Sequence, residues 1–251
     1  MPAPGPVGPL GSNVAAPTAD KLGVKVFSSC TLGEGMDSSW TTYLARLPKQ
    51  HPVRKAILES WRRSARAGVV RDGEPVFRRV PESNLRDRMQ EAAQFLTVAV
   101  PMLDELIASL PGSTHVAYIT DADGIVLHSV GDPATIATFG LSPGHDWSEQ
   151  AMGTNGAGTC LRTGRPVVVE GSQHFKTAFE NCTCTACPVR GAGGEVIGAL
   201  DVSSSVADGN FRRIGEVARV ADAIEQALRR GAVPALAKSV KIEAHGHRPG
   251  D

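Results

Sequence analysis

The chain has 251 residues, of which 41% are hydrophobic and 21% are charged, and 26 basic residues balance 26 acidic residues. This length and composition predict one sizeable core with helical appendages, or at most two small domains. Domains that grip DNA or RNA carry a basic excess because they neutralise phosphates, so we expect no direct nucleic-acid binding. The sequence shows neither a run of about 18 apolar residues nor a secretory signal, so we expect a cytoplasmic protein without a membrane span.

The two ends of the sequence differ from its middle in composition. Residues 1–50 are rich in proline, glycine, serine and threonine and have no sustained hydrophobic period, which predicts a disordered leader. Residues 231–251 are polar and follow a helix-ending glycine, which predicts a disordered tail. The folded part is therefore expected between these two segments.

A helical lead-in is predicted over residues 51–111. Apolar residues share one helix face over 53–61, and a longer apolar stripe runs over 85–110, where Pro101 should kink the helix. Together with a stripe on the last helix, at 211–228, these surfaces exceed what one small sheet face can cover. We therefore predict that the lead-in is also a dimerisation segment and that the protein is a homodimer.

The hydrophobic period changes to that of strands in residues 112–230. Two hairpins are predicted, one within 115–130 and one within 185–202, with a strand of β-branched residues at 165–170 between them. A short helix should begin at a capping box in which Asp146 is the cap and Glu149 reaches back. This order of elements predicts an α+β fold with one antiparallel sheet, packed on helices on one face and able to hold a pocket on the other.

A resemblance to a known family appears at Trp147–Thr159, which reads W-S-E-Q-A-M-G-T-N-G-A-G-T. This segment resembles a motif of GAF sensor domains found at the N-termini of sigma-54-dependent activators of the acetoin and glycerol catabolism type. Shorter matches lie at 164–167, 171–175, 184–189 and 198–203, and the lead-in segment Ser60-Trp61-Arg62-Arg63-Ser64 is also similar. The resemblance covers about 52–230 and implies a GAF-like central antiparallel sheet with flanking helices and a sensory function.

Two parts of such activators have no counterpart in the sequence. It has neither a Walker-type phosphate loop nor a helix-turn-helix pair after the last predicted helix. If the chain is the whole protein, we expect it to pass its signal to a downstream regulatory protein. If it is a fragment, the activator parts were lost.

Three residues of the matched segments are candidates for ligand binding. Trp147 offers a stacking wall, Asn155 can line a pocket, and His174 can donate a hydrogen bond. Each also has a structural interpretation: a core tryptophan, an asparagine bonded to the backbone of a turn, and a satisfied buried histidine. His128 is interpreted as a surface residue. Because no Ser/His/Asp arrangement or paired-carboxylate motif is present, we do not expect an enzyme.

The cysteines form an unusual cluster with the spacing C-x-C-x-x-C. The predicted metal site consists of four residues: Cys160, Cys182, Cys184 and Cys187. In the family pattern only the position of Cys184 is commonly cysteine, and four thiolates would suit zinc or an iron–sulfur cluster. Cys182 and Cys184 point the same way in a strand, whereas Cys187 needs a turn or bulge before Pro188 to join them. Redox thiols and inert packing are the alternatives, and Cys30 of the leader is left outside the site.

These observations favour a sensor that receives a small molecule, a redox state or a metal or iron–sulfur status. A thiol-dependent redox enzyme of the GAF type, with a nucleophilic and a resolving thiol, is one alternative. A purely structural dimerisation module is the other. Turnover with a thiol reductant would separate the enzyme from the sensor.

Overall fold

The computed structural model describes residues 52–110, 115–207 and 213–231, with side chains from Lys55 onward. The predicted leader, Cys30 and all but the first residue of the predicted tail lie outside these residues. Within them the fold is α+β and GAF-like, as expected, with seven α-helices and one five-stranded antiparallel sheet. The helices are α1 Pro52–Arg66, α2 Glu82–Glu91, α3 Ala93–Ser109, α4 Pro133–Thr138, α5 Glu149–Met152, α6 Gly156–Thr163 and α7 Arg213–Arg229. The strands are β1 Val116–Asp121, β2 Val126–Gly131, β3 Val167–Glu170, β4 Cys182–Arg190 and β5 Val196–Ser205.

The sheet has the strand order β2-β1-β5-β4-β3, and every neighbouring pair is antiparallel. Both predicted hairpins are present, β1–β2 and β4–β5, and β5 pairs with β1 in the centre of the sheet. Because side chains alternate along a strand, each strand contributes to two different faces. Because β5 is the middle strand of the five, it lies at the centre of both faces.

One face of the sheet, called here the apolar face, packs against α3 and α7. It consists of alternate residues of the strands: Ala117, Ile119, Leu127, Cys187, Val189, Leu200 and Val202. The two helices contribute another nine buried side chains: Phe95, Val98, Ala99, Leu103, Leu106, Val217, Ala221, Ile224 and Leu228. This layer is the main hydrophobic core of the described residues. Because burial of apolar area is the dominant favourable term in folding, it contributes most to stability.

The sheet of the same chain covers much of the apolar stripes of α3 and α7. Val217, Ala221, Ile224 and Leu228 of α7 are buried, whereas Ile214 and Ala218 on the same helix are half-buried. The homodimer stays a prediction.

The bend in the second predicted helix is not at Pro101. The chain turns by 86° between α2 and α3, at Ala92, whose backbone leaves the helical region with φ −86° and ψ 9°. Pro101 lies on the exposed side of α3, where water can satisfy the carbonyl that its ring leaves unbonded, so the helix continues through it. Among the described helices none is by itself long and apolar enough to span a membrane, and only the bent pair α2 and α3 meets that length and composition jointly.

Candidate functional site

The second face of the sheet, called here the polar face, lies under α5 and α6. It carries Tyr118 and Thr120 of β1, Cys184 of β4, and Asp201 and Ser203 of β5. Gly156, at the start of α6, permits this close packing. A Cβ at this position would overlap Oδ2 of Asp201 and lie 2.7 Å from Cβ of Cys184. The glycine of the matched motif therefore brings α6 down onto the strand carrying Asp201.

Aromatic side chains cover the polar face. The ring of Trp147 is 4% exposed and lies 5.3 Å from that of Phe179 and 6.2 Å from that of Tyr118, centroid to centroid. Its indole Nε1 donates to the carbonyl of Gly140 at 2.9 Å. Trp147 is therefore a wall of the covered face whose polar atom is already satisfied.

Asn155 is the N-cap of α6. Its Oδ1 accepts from the N–H of Gly158 at 2.8 Å, and its Nδ2 donates to the carbonyls of Trp147 and Gly153 at 3.1 and 2.8 Å. The side chain is fully buried, and both amide atoms are used by the backbone. This geometry matches the structural interpretation of Asn155, and its role in ligand binding stays a prediction.

Replacing Asn155 with Ala is expected to lower the free energy of unfolding by about 2 kcal/mol, because buried backbone groups lose their partners together with the helix cap. Chemical unfolding of both proteins would measure the difference. Asp132→Ala is the matched control. Asp132 caps α4 by accepting from the N–H of Thr135 at 2.8 Å, in a more exposed position, so about 1 kcal/mol is expected. Equal losses in the two variants would contradict the assignment.

A row of hydrogen-bonding side chains crosses the polar face. Nε2 of His174 lies 3.3 Å from Sγ of Cys184, which lies 3.3 Å from Oγ of Ser203, and that hydroxyl donates to Oδ1 of Asp201 at 3.0 Å. Nδ1 of His174 lies 3.0 Å from the carbonyl of Gly171, which can only accept, so Nδ1 carries the proton. His174 is therefore a neutral acceptor at Nε2 and accepts a hydrogen bond from the Cys184 thiol.

Burial sets the protonation of this row. It lowers the pKa of His174 to about 4, since the charged imidazolium would be fully desolvated. It raises the pKa of Asp201 to about 7, against the hydrogen bond from Ser203, which favours the ionised form. Burial and the neighbouring Asp201 charge raise the pKa of Cys184 well above its usual range. A carboxyl poised near neutrality in a buried row is typical of functional sites.

Three buried polar atoms of the polar face lack a hydrogen bond of good geometry in the described part of the chain: Oδ2 of Asp201, the hydroxyl of Tyr118 and Oγ1 of Thr120. The Tyr118 hydroxyl is near enough to Asp201 to favour its ionised form and so to oppose the rise of its pKa, but the two groups do not align well enough to satisfy each other. The three side chains are 0% exposed, and they belong to paired strands in which Tyr118 lies opposite Asp201. Buried polar groups without partners cost about 1–3 kcal/mol each, so they are rarely left so. These atoms are therefore candidates for hydrogen bonding to a ligand.

The four cysteines predicted to share a metal are not brought together. Strand pairing is continuous from Cys182 to Val189, so no bulge turns Cys187 toward its neighbours, and it faces the apolar core instead. Cys184 belongs to the polar face, and Cys160 is buried in α6. No group of three or more histidine, cysteine, aspartate or glutamate side chains is placed to hold a metal ion within residues 52–110, 115–207 and 213–231. The residues present do not fit a four-thiolate zinc or iron–sulfur site.

Burial also keeps these sulfurs protonated. It raises the pKa of Cys182 and of Cys187 to about 12, and it also raises the pKa of Cys160. Because the thiolate is the reactive form of cysteine, burial does not activate these sulfurs as nucleophiles. The packing interpretation of the cysteines agrees best with this arrangement.

Glu149 has a different role from the one expected of it. The cap of α5 is Ser148, whose Oγ accepts from the N–H of Ala151 at 3.3 Å, and Asp146 accepts from the N–H of Ser148 at 2.9 Å. Glu149 does not reach back to the cap. Its carboxylate is 4% exposed and is bound by Arg63 of the lead-in helix, with Nε to Oε2 at 2.6 Å and Nη2 to Oε1 at 2.8 Å.

Hydroxyl groups complete this buried site around Glu149. Ser60 of α1 donates to Oε1 of Glu149 at 2.5 Å and lies 2.6 and 3.2 Å from the hydroxyls of Thr154 and Thr159. We call these side chains the Glu149 cluster: Ser60, Arg63, Glu149, Thr154 and Thr159. The cluster joins the two matched sequence motifs in space, because Ser60 and Arg63 come from the lead-in and the rest from Trp147–Thr159.

Several residues of the site were not singled out from the sequence. Asp201 and Tyr118 lie inside apolar strand segments, and a carboxylate within such a run was a signal that something must compensate its burial. Arg63 gave no such signal, since a basic residue in an amphipathic helix is ordinarily solvated. His128 was interpreted as a surface residue but is half-buried on β2, where burial lowers its pKa.

An open groove of about 540 Å³ lies elsewhere, at the α2–α3 bend, with the β1–β2 and β4–β5 turns and the end of α7 in its walls. Its charged groups include Arg88, which pairs with Asp121 and Asp123. Its lining residues take no part in the polar row, so the groove is separate from the site described above.

Comparison with known proteins shows which family this chain resembles. Residues 44–225 match the family described as "MimR, N-terminal domain". The chain is 31% identical over 179 residues to the acetoin dehydrogenase operon transcriptional activator AcoR of Bacillus subtilis, covering 70% of this chain and 30% of that one. It is 29% identical to the propane 2-monooxygenase operon transcriptional activator MimR of Mycolicibacterium smegmatis, covering 60% of this chain and 26% of that one.

The fold also has a counterpart among solved structures. The E. coli DhaR(N)–DhaL complex superimposes with a TM-score of 0.67 at 20% identity, covering 70% of this chain and 60% of that one. The chain spans only 30% and 26% of the lengths of the two activators named above. The match to the N-terminal domain of transcriptional regulators gives the chain a signal-sensing, regulatory role. With most of its length matched by that family's model, the chain belongs to the MimR N-terminal domain family.

Proposed function

We propose that this domain senses a small, uncharged, oxygen-containing molecule on the polar face and relays its presence to a partner protein. The observation that carries the proposal is the set of buried polar atoms without a hydrogen bond of good geometry on Tyr118, Thr120 and Asp201. A ligand that donates to Asp201 and accepts from Tyr118 would satisfy them. The proposal includes no catalytic step.

The chemistry of the polar face selects against other ligand classes. No cationic side chain bonds to Asp201 in the described residues, so an anionic ligand would be buried beside a carboxyl without compensation. The aromatic cover of Trp147 and Phe179 suits a small apolar skeleton. A short hydroxy-ketone or alcohol combines both properties, and the names of two relatives refer to acetoin.

The output of the sensor is proposed to be a protein contact. The two relatives named above are transcriptional activators, and one solved structure with a similar fold is the E. coli DhaR(N)–DhaL complex, which contains a second protein. We propose that this domain also contacts a protein partner. Homodimer formation stays a separate proposal, which light scattering at tens of micromolar tests directly.

Titration calorimetry of the full chain with acetoin, butan-2-one and butan-2-ol tests the sensing proposal. Binding is expected for acetoin, weaker for the molecules with one oxygen, and about tenfold weaker to Tyr118→Phe, which removes only the hydroxyl. The matched control is Thr183→Val. Thr183 also carries a buried hydroxyl without a partner, but its neighbours Cys182 and Cys184 alternate with it along β4, so it is on the apolar face.

The outcomes separate clearly. Unchanged affinity in Tyr118→Phe, or equal losses in both variants, would refute the assignment of the polar face. If none of the three molecules binds at millimolar concentration, the proposed ligand class is wrong.

A further inference from the structure

The lead-in helix α1 is attached to the domain mainly through polar contacts. Between Lys55 and Arg66 only two apolar side chains, Ile57 and Trp61, are buried. The remaining buried residues on its inner side are Ser60 and Ser64, which are 0% exposed. By contrast, α3 buries five apolar side chains in the core. The attachment of α1 thus depends far more on hydrogen-bond geometry than that of α3.

The Glu149 cluster supplies most of that geometry. The guanidinium of Arg63 forms two hydrogen bonds with one carboxylate, and Ser60 adds a third. Such bidentate, charge-assisted contacts are strong when well aligned and fail once the partners separate. Removing one partner of a largely buried pair leaves the other with an uncompensated charge, so the attachment is lost steeply.

The Glu149 cluster and Trp61 both join α1 to segments that cover the polar face. Glu149 opens α5, and Thr154 and Thr159 flank the cap of α6, whose Gly156 touches Asp201. On the other side, Nε1 of Trp61 donates to the carbonyl of Gln173 at 2.8 Å, and the next residue is His174 of the polar row. Helix α1 therefore contacts two of the segments that cover the polar face.

We propose that α1 is a releasable element of the domain and that the Glu149–Arg63 pair sets how firmly it is held. A displacement of α5 and α6 that separates the pair weakens the hold on α1 while the sheet and α7 stay folded. This goes beyond the proposed sensing of a small molecule, and it holds whatever displaces α5 and α6.

Hydrogen exchange of the full chain, followed by mass spectrometry without any ligand, tests the proposal. Glu149→Gln keeps the size of the side chain and removes its charge. We expect amides of α1 to exchange about tenfold faster in this variant, with protection in β4, β5 and α7 unchanged. Arg63→Gln is expected to give the same change, and the double variant no more than either single one.

The neighbouring Arg62→Gln is the matched control. Arg62 is exposed on the same helix, so its replacement should leave exchange in α1 unchanged. Unchanged α1 exchange in the folded Glu149→Gln variant would overturn the proposal. So would an equal rise in α1 and in the sheet, which would show a general loss of stability. If neither Glu149→Gln nor Arg63→Gln folds, the pair is integral to the fold and α1 is not releasable.

Discussion

Replacing Asp201 with Asn is expected to change how stability depends on pH, because Asp201 and His174 contribute in opposite directions. Burial raises the pKa of Asp201 from 3.8 to about 7, so the folded state holds its proton more tightly than the unfolded chain. The contribution of Asp201 to the free energy of unfolding is fully present below pH 4 and is lost as the pH rises to about 7. Three pKa units correspond to about 4 kcal/mol.

His174 has the opposite sign. Burial lowers its pKa from 6.5 to about 4, so the unfolded chain takes up the proton first. Its contribution is present above pH 6.5 and is lost as the pH falls toward 4, by about 3 kcal/mol. Between about pH 4 and 6.5 the two contributions nearly cancel in the natural protein.

Asp201→Asn removes one of them. The variant is expected to lose about 3 kcal/mol between pH 6.5 and 4 and to be more stable than the natural protein by about 2 kcal/mol at pH 8. His174→Gln should show the reverse trend and gain stability as the pH falls from 7 to 4. Urea unfolding at half-unit pH steps measures both profiles. Asp222→Asn, which changes an exposed carboxylate on α7, is the control, and parallel profiles for Asp201→Asn and the natural protein would refute the assignment.

Gly158→Ala is the second substitution with a large expected effect. A Cβ on residue 158 would lie 2.7 Å from the backbone N of Glu149, 2.8 Å from the carbonyl of Trp147 and 2.8 Å from Nδ2 of Asn155. Two of these atoms are backbone and cannot rotate away. Helix α6 must therefore separate from α5 and lose the Asn155 hydrogen bonds, at a cost of about 3–4 kcal/mol.

Thermal and chemical unfolding of Gly158→Ala would measure this loss. The control is Gly215→Ala on α7, where an added Cβ meets nothing within 4 Å and the positive-φ conformation is absent. That substitution should stabilise the protein by about 0.5–1 kcal/mol, because alanine favours the helix. A loss of less than about 1 kcal/mol in Gly158→Ala would show that α5 and α6 can separate at little cost.

The arrangement of the sheet was predictable because its strands are rich in β-branched and apolar residues and end at turns that contain glycine. The β1–β2 hairpin turns through Asp121–Gly124, and Gly124 has φ +92°, as that turn requires. The bend at Ala92 was not predictable. It depends on how α2 and α3 pack, whereas the local rule for proline pointed to Pro101.

The site was predictable only where a residue's partners are close in sequence. The structural interpretation of Asn155 follows from the turn that contains it, and the sequence indicated that interpretation. The pairing of Glu149 with Arg63 joins residues 86 positions apart, so no local pattern reports it. The four-cysteine site was predicted from spacing, but strict alternation along β4 sends Cys184 and Cys187 to opposite faces.

Strand β5 connects the two faces of the domain. It is paired on both edges, with β1 on one and β4 on the other, so it cannot slide without disturbing both ladders. Asp201 belongs to one face, whereas its immediate neighbours Leu200 and Val202 belong to the layer of α3 and α7. A displacement of Asp201 would therefore also displace Leu200 and Val202, which pack against the opposite layer. Under the proposed sensing function, a displacement of Asp201 would therefore reach α1 on the polar side and α7 on the apolar side, and a protein partner bound to either helix would respond to the same ligand.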